Sequence, residues 1–179
     1  MRIISGSHGG RRITPPSKLP NTRPTTDLAK EGLFNVLQNM IDLEEINVLE
    51  LFGGTGNITF ELASRGAAQI TYIEKDKNLV QFVKATCKQL GFENINVLSG
   101  DVFKFLDGLS TKYDLIFADP PYAIPQMGQL PDIIFNNNLL IEEGIFVLEH
   151  DTKFDFEKHP KFYKSKKYGT TIFSIFINQ

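Results

Sequence analysis

The residues best suited to chemistry are Asp119-Pro120-Pro121-Tyr122, which follow the apolar run from Tyr113 to Ala118. Two successive prolines remove two backbone donors and fix φ, so the neighbouring carbonyls can point into a cleft. The Asp119 carboxylate is a further acceptor, and the Tyr122 ring is a flat surface. Two acceptors beside a flat ring suit the NH2 group of a planar base. The segment therefore predicts an amine-binding catalytic site made by Asp119, Pro120 and Tyr122.

A glycine-rich turn, Gly53-Gly54-Thr55-Gly56, follows a second apolar run that ends in Glu50-Leu51. Glycines allow a tight turn and a close approach of the backbone to a ligand. The turn is not a dinucleotide fingerprint, because Thr59 stands where a small residue should pack, and no Gly-Lys-Ser/Thr phosphate cradle is present. It favours a nucleoside ligand without a pyrophosphate, of which S-adenosylmethionine is the commonest. Taken alone, a plain strand-to-helix turn explains it as well.

Two more acids follow apolar runs. Glu74 ends the run that starts at Gln69, where its carboxylate can accept both hydrogens of a ribose diol. Asp101 comes shortly after Leu98 and could accept from an adenine amine while the backbone N–H of Val102 donates to the ring. Ordinary explanations remain open for both, since Glu74 lies in a charged run and Asp101 could cap a helix.

The elements that must position these residues alternate along the chain. Apolar strands are predicted at 46–51, 69–74, 95–98, 113–118 and 145–149, with helices from 27, 57, 79, 102 and 132, the last ending near 140. This alternation predicts a doubly covered α/β fold with a mainly parallel sheet, in which ligands bind at the carboxyl ends of the strands. Residues 161–168 and 171–177 around Gly169-Thr170 predict a terminal antiparallel hairpin that brings the sheet to seven strands.

The two ends of the chain are basic. Residues 1–40 carry a net charge of +4, 41–150 of −9 and 151–179 of +3, within a total of −2. Basic ends around an acidic body indicate a polyanionic partner, although solubilising charge at the termini explains them equally. Residues 1–26, rich in Gly, Pro, Arg and Thr, predict a basic arm or small hairpin outside the core, and 27–179 a single catalytic domain.

Other classes of site are not indicated. A single cysteine, Cys87, excludes an intramolecular disulfide, and the scattered His8, His150 and His159 predict no metal site. The sequence has no run of about 18 apolar residues, so no membrane-spanning helix is predicted. We expect a cytoplasmic monomer without metal or membrane.

Together these motifs resemble the class I S-adenosylmethionine-dependent methyltransferases that act on exocyclic amines of bases. Within that class the chain is similar to the bacterial 16S ribosomal RNA guanine-N2 methyltransferases named for guanine 966. The resemblance covers nearly the whole chain and is carried by Asp119-Pro120-Pro121-Tyr122 together with Arg2-Ile3-Ile4-Ser5-Gly6, Gly10-Arg11-Arg12, Thr22-Arg23-Pro24-Thr25-Thr26-Asp27 and Glu31-Gly32-Leu33-Phe34-Asn35. Departures are Glu50 for a more usual Asp, Gly53 for Ala, and a helix start, Leu28-Ala29-Lys30, that is less rich in Arg.

The resemblance implies methylation of guanine N2 in 16S ribosomal RNA or in an assembling small subunit, with S-adenosylmethionine as donor. It implies that the target base is held by Asp119, Pro120 and Tyr122. Implied cofactor contacts are Glu50, Phe52, Gly53, Gly54, Gly56, Glu74, Lys75, Asp101, Val102 and Asp119. Implied RNA contacts are Arg2, Arg11, Arg12, Arg23 and Thr25, and Lys161, Lys164, Lys166 and Lys167 are further candidates.

Other functions remain open at this point. An adenine-N6 methyltransferase uses the same tetrapeptide, although the chain has no room for a separate target-recognition domain. A protein glutamine methyltransferase usually has Asn in place of Asp119. A non-catalytic RNA-binding assembly protein could keep the fold, but none of the strand-end acids is missing. Thr59 argues against a nicotinamide oxidoreductase.

Overall fold

A seven-stranded sheet organises the molecule, whose computed structural model describes residues 1–16 and 25–179. The strands are β1 (Asn47–Leu51), β2 (Gln69–Glu74), β3 (Ile95–Ser99), β4 (Tyr113–Ala118), β5 (Leu140–His150), β6 (Phe162–Tyr168) and β7 (Thr171–Ile177). The helices are α1 (Asp27–Leu37), α2 (Asn57–Ser64), α3 (Lys77–Leu90), α4 (Val102–Asp107) and α5 (Leu130–Asn136), with a 3₁₀ turn at Met127–Gln129.

The strand order is β3-β2-β1-β4-β5-β7-β6. The first five strands in that order pair in parallel, whereas β7 pairs antiparallel with both β5 and β6. The order reverses between β1 and β4, which is where doubly wound sheets bind their ligands. The predicted mainly parallel sheet with a terminal antiparallel hairpin is confirmed.

Apolar side chains from both faces of the sheet form the core. Helices α1 and α2 pack on one face through a cluster that includes Leu33 and Leu62, and α3 contributes Val83 on the same side. On the opposite face, α4 and α5 pack through a cluster that includes Leu106 and Ile134. The prediction of helices on both faces is confirmed, and no helix in the described ranges is long and apolar enough to cross a membrane.

Local sequence signals determine where several helices begin and end. Thr26 caps α1 by accepting a bond from the N–H of Ala29, and Asp76 caps α3 in the same manner. Gly91 ends α3 with a φ of +74°, in the left-handed region that favours glycine.

The predicted boundary between the last helix and the fifth strand is wrong. Helix α5 ends at Asn136 rather than near Leu140, and β5 begins at Leu140 rather than Ile145. Asn138 has a φ of +54°, which stops the helix, and the register of β5 against β4 shifts between Tyr113 and Leu115. A strand with such an irregularity does not show the alternation from which strands are predicted.

Residues 1–13 of the N-terminal arm form a small hairpin, in which Arg2 and Arg12 form an antiparallel bridge. The prediction that it lies outside the core is wrong for Ile3, which is 1% exposed and packs with Phe60 and Tyr72. The arm is therefore joined to the domain through apolar burial as well as through polar contacts.

A buried lysine provides those polar contacts. Lys30 on α1 is 1% exposed, and its Nζ lies 3.4 Å from a carboxylate oxygen of Glu61 on α2. The same Nζ donates to the carbonyl of Arg2 at 2.5 Å and to Oδ1 of Asn57 at 2.8 Å. Glu61 in turn accepts from the backbone N–H groups of Ile4 and Ser5 and from Nε of Arg65. This network connects the arm, α1 and α2 inside the protein.

We predict that Lys30→Ala lowers the free energy of unfolding by about 3 kcal/mol, because it leaves the buried Glu61 and Asn57 without their shared donor. Urea denaturation measures this loss. As a control, Lys84→Ala on the exposed face of α3 should change stability by less than about 0.5 kcal/mol. Equal stability of the two variants would contradict the structural role of Lys30.

Candidate active site

A cavity of about 670 Å³ opens at the carboxyl ends of β1, β2 and β4, next to the point where the strand order reverses. That volume lies in the range of small-molecule sites. The cavity receives residues from the loop after β1, the end of β2, the start of α4, and the loop after β4. The carboxyl edge of the sheet therefore contains the site that the strand alternation predicts.

The structure brings nearly all of the predicted cofactor and base contacts to this one cavity. Those that line it are Glu50, Phe52, Gly53, Gly54, Glu74, Lys75, Asp101, Val102, Asp119, Pro120 and Tyr122. Gly56 does not line it. With a φ of +74°, Gly56 lies where a Cβ would meet Phe60 at 2.9 Å and Val83 at 3.1 Å, so packing and the turn explain this glycine.

The loop after β1 is held in a strained, fixed conformation. Phe52 has a φ of +58°, which is uncommon for a bulky residue and is typical of functional loops. A Cβ on Gly53 would lie 2.1 Å from the ring of Tyr72, whose hydroxyl donates to the carbonyl of Gly54 at 2.6 Å. The N–H of Gly54 donates to Glu74 at 3.0 Å. Two residues of β2, Tyr72 and Glu74, thus hold the loop in this conformation.

Glu50 lies at the bottom of the cavity and is 2% exposed. Its carboxyl accepts a hydrogen bond from the hydroxyl of Thr59 on α2. Burial raises the pKa of Glu50 to about 8, against the opposing effect of the Thr59 bonds. A buried acid of this kind suits a ligand that carries a cation, because the cation offsets the cost of ionising the acid.

The other two acids of the cofactor side already bond to backbone groups. Glu74 accepts from the N–H of Gly54 with one oxygen and from that of Asp76 with the other, and each carboxylate oxygen keeps a second lone pair for a ligand hydroxyl. Asp101 caps α4 through Oδ1, which accepts from the N–H groups of Phe103 and Lys104. Asp101 therefore caps a helix, which is one of the two roles that the sequence allowed, and it also lines the cavity.

The Asp119 segment continues the line of β4 into the cavity. The N–H of Asp119 donates to the carbonyl of Leu51 at 3.3 Å, and the carbonyl of Pro121 accepts from Ile124 at 3.0 Å. The turn thus uses the Pro121 carbonyl, and no backbone donor in residues 1–16 or 25–179 bonds to that of Pro120. Pro120 is left as the carbonyl able to accept from a ligand amine.

Burial, followed by the nearby acids Glu149 and Glu50, raises the pKa of Asp119 well above its ordinary value. Burial also raises the pKa of Tyr122, with Glu149 and Asp119 as smaller contributions, while a bond to the side chain of Thr171 opposes them.

The predicted RNA contacts fall into three groups. Arg2, Arg11 and Arg12 are exposed on the arm, and Arg2 lies 3.6 Å from Asp27. Thr25 is buried and lines the cavity, and its hydroxyl donates to Glu149 at 2.8 Å. Arg23 lies outside the described residues.

The four lysines of the hairpin lie at two levels of the sheet. Lys166 and Lys167 pair through Phe173 and Ile172 with the end of β5, at the level of the cavity. Lys164 pairs with Ile175, deeper along the sheet, and Lys161 bonds to the carbonyl of Gln179 at the opposite edge. Only the first pair lies at the end of the sheet where the cavity opens.

The other titratable residues do not form a second site. Within the parts of the chain that the structure describes, no three His, Cys, Asp or Glu side chains are grouped to hold a metal ion. Cys87 is buried, and burial raises the pKa of its thiol to about 11.

Sequence reasoning missed several residues that shape the cavity. Glu149 follows the same rule as Glu50 and Glu74, since it is an acid near the carboxyl end of an apolar strand, and that signal could have found it. Asn57 and Thr59 belong to the first turns of α2, where nothing in the pattern separates them from ordinary helix residues.

The fold and the cavity define the α/β class of S-adenosylmethionine-dependent methyltransferases. The solved structure of the putative methyltransferase yhhF from Escherichia coli superposes with a TM-score of 0.86 at 26% identity, covering 100% of this chain and 98% of that one. The 16S rRNA N2 G1207 methyltransferase of Thermus thermophilus, solved in complex with AdoMet and guanosine, shares the fold, with a TM-score of 0.69 at 20% identity over 86% of this chain and 44% of that one.

The sequence profile of the family described as conserved hypothetical protein 95 matches residues 1–177, and the chain belongs to that family. The ribosomal RNA small subunit methyltransferase D of Escherichia coli strain K12 is 31% identical over 153 residues, which are 86% of this chain and 76% of that protein. The family resemblance inferred from the motifs is confirmed.

We predict that Glu50→Gln weakens the binding of S-adenosylmethionine at least tenfold, because the variant loses the charge that would face the cofactor's ammonium group. Titration calorimetry measures the affinity. The exposed Glu93→Gln is the matched control and should bind as the wild type does.

The same variant has an opposite effect on stability. The pKa of Glu50 is raised from its ordinary value of 4.5 to about 8 in the folded protein. The free energy of unfolding therefore falls as the pH rises from 4.5 to about 8, because keeping Glu50 protonated favours the folded state. At pH 8 and without cofactor, Glu50→Gln should therefore be more stable than the wild type by at least about 1 kcal/mol. A variant that binds the cofactor normally, or one that is less stable at pH 8, would contradict the role given to Glu50.

Proposed function

We propose that this chain transfers a methyl group from S-adenosylmethionine to the exocyclic N2 amine of a guanine in small-subunit ribosomal RNA, with guanine 966 as the specific target. One observation carries the proposal. The amine-binding residues Asp119, Pro120 and Tyr122 line the same cavity as the acids and glycines suited to a cationic nucleoside.

The comparisons support this substrate. The Escherichia coli relative is named for ribosomal RNA of the small subunit, and the Thermus thermophilus neighbour is named for guanine N2 and was solved with guanosine. Guanine 966 comes from the resemblance of the N-terminal and Asp-Pro-Pro-Tyr motifs.

The residues of the cavity divide between donor and acceptor. We assign Glu50 to the cofactor's ammonium group, Glu74 to its ribose and Asp101 with the N–H of Val102 to its adenine. The loop of Phe52, Gly53 and Gly54, with Lys75, encloses it, and these residues line one continuous cavity. When bound, S-adenosylmethionine supplies an electrophilic methyl group on a positively charged sulfur.

The residues after β4 prepare the acceptor. The amine of guanine is a weak nucleophile because its lone pair is delocalised into the ring. When Asp119 and the carbonyl of Pro120 each accept one N–H, the nitrogen becomes pyramidal and its lone pair points at the methyl group. Such positioning can contribute about 7–11 kcal/mol to lowering a barrier. The Tyr122 ring stacks on the base, so the target must be an unpaired or flipped nucleotide.

The whole machinery lies within one chain, which supports action as a monomer. Ribosomal RNA as substrate supports a cytoplasmic location. The exposed arginines Arg2, Arg11 and Arg12, with Arg23, bind phosphates on the RNA, and Thr25 joins the arm to the cavity.

We predict that Asp119→Ala abolishes methylation and keeps the affinity for S-adenosylmethionine within about tenfold of the wild type, because the lost carboxylate holds the amine. Transfer of labelled methyl groups to 16S RNA measures the first effect, and calorimetry the second. Asp114, which is half-buried and bonds to the N–H of Asn47 at the other end of β4, provides the control variant Asp114→Asn. Full activity of Asp119→Ala would remove Asp119 from the mechanism, and methyl groups recovered on adenine would replace guanine as the substrate.

We predict that the double variant Lys166→Ala, Lys167→Ala binds RNA more weakly. The slope of the logarithm of the binding constant against the logarithm of the salt concentration should show a loss of up to about two phosphate contacts. Binding is measured by titration with 16S RNA between about 50 and 200 mM salt. Lys161→Ala is the control and should bind as the wild type does, since Lys161 lies at the far edge of the sheet. A steep salt response in the wild type is expected, and equal effects of the pair and the control would contradict an RNA surface beside the cavity.

A further inference from the structure

A second carboxyl group lies beside Asp119 and has no part in the mechanism above. Ala118 on β4 is paired with Leu148 on β5, and the two strands run in parallel. The next residues along the chain are Asp119, directly after β4, and Glu149 on β5, and adjacent strands lie about 4.8 Å apart. Successive side chains alternate between the faces of a sheet, so Asp119 and Glu149 share the face on which Phe117 and Val147 pack.

Glu149 is buried next to the hydroxyl of Thr25 and lies outside the cavity. It is 2% exposed and does not line the cavity. Its carboxylate accepts from the hydroxyl of Thr25 at 2.8 Å. Glu149 can therefore act on a bound substrate only through residues that line the cavity, such as Asp119 and Tyr122.

The groups around the pair are acids and a phenol. Glu50 on β1 adds to the rise in the pKa of Asp119, and the charges of Glu149, Asp119 and Asp151 each add to the rise in the pKa of Tyr122. Burial raises the pKa of Glu149 to about 7, although Thr25 and Thr171 oppose the change. Burial also raises the pKa of Asp119, and the charge of Glu149 is the largest electrostatic contribution to that change.

We propose that Glu149 is a positioning residue whose like charge makes Asp119 the base that takes up the amine proton. This role rests on the proposed methyl transfer and adds a second task to the binding of the amine. A carboxylate held next to a like charge binds a proton more tightly than an isolated one, and a stronger base accepts a proton more readily in general base catalysis.

The nitrogen lone pair forms the new N–C bond, and the electron pair of the broken C–S bond stays on sulfur. The nitrogen then carries a positive charge until one N–H bond breaks and its proton passes to the carboxylate of Asp119. The proton leaves to water when the product leaves, and the pair returns to its starting charge.

The charge of Glu149 can be separated from its shape by two substitutions. Glu149→Gln keeps the shape, including an acceptor for Thr25, and removes the charge, whereas Glu149→Asp keeps the charge. We expect Glu149→Gln to move the acidic limb of the kcat profile to lower pH by at least about one unit and to lower kcat several-fold, with KM within about threefold. Glu149→Asp should keep the acidic limb within about half a unit of the wild type. Glu142→Gln, an exposed acid on the same strand, should leave the whole profile unchanged.

A second measurement does not depend on activity. Titration of the side-chain carboxyl carbon of Asp119 by ¹³C NMR, without cofactor or RNA, gives its pKa in each variant. We expect a lower pKa for Asp119 in Glu149→Gln than in the wild type and in Glu149→Asp. Equal values in the wild type and Glu149→Gln, or an acidic limb that does not move, would overturn the proposal.

The two proposals can fail separately. A wild-type protein that methylates no RNA would overturn the proposed function, while the titration of Asp119 still decides whether Glu149 controls it. Normal RNA methylation combined with an unchanged Asp119 titration would overturn the role of Glu149 alone.

Discussion

The close placement of three carboxyl groups, of which Glu50 and Glu149 are buried and Asp119 is partly buried, is the constraint on which the rest of the site depends. Glu50, Asp119 and Glu149 stand on neighbouring strands, at one edge and on one face of the sheet. Burial raises the pKa of each, so their ionisation is costly in the free protein. Groups arranged at such a cost are characteristic of sites that bind a cation or move a proton, and this one fits both.

The surrounding structure holds these acids in place without neutralising them fully. The hydroxyl of Thr59 donates to Glu50, and that of Thr25 donates to Glu149. Thr59 lies on α2, and Thr25 lies just before α1. The backbone carbonyl of Thr25 accepts from Asn57, which accepts from Lys30, so the buried lysine network reaches the edge of the cavity. The N-terminal arm, the first helix and the carboxyl edge of the sheet are therefore joined by one network of hydrogen bonds.

Much of the fold and the site could be predicted from the sequence because each is tied to local patterns. Alternating apolar runs and glycine stops identify the sheet, and motifs at the ends of strands identify Glu50, Glu74 and the Asp119 segment. The start of β5 was missed because a register shift removes its alternation. Lys30 could not be assigned a role, since its importance comes from contacts between residues far apart in the chain, such as Lys30 and Asn57, which are 27 residues apart.

Proton release during cofactor binding tests this account most directly. In the free protein Glu50 is mostly protonated at pH 7, and a bound ammonium group favours its ionised form. Calorimetric titration of the purified protein with S-adenosylmethionine, repeated in buffers of different ionisation enthalpy, counts the protons. Binding is expected to release up to about one proton per cofactor at pH 7, and this release should fall away above pH 8. Absence of binding, or binding with no linked proton, would contradict it.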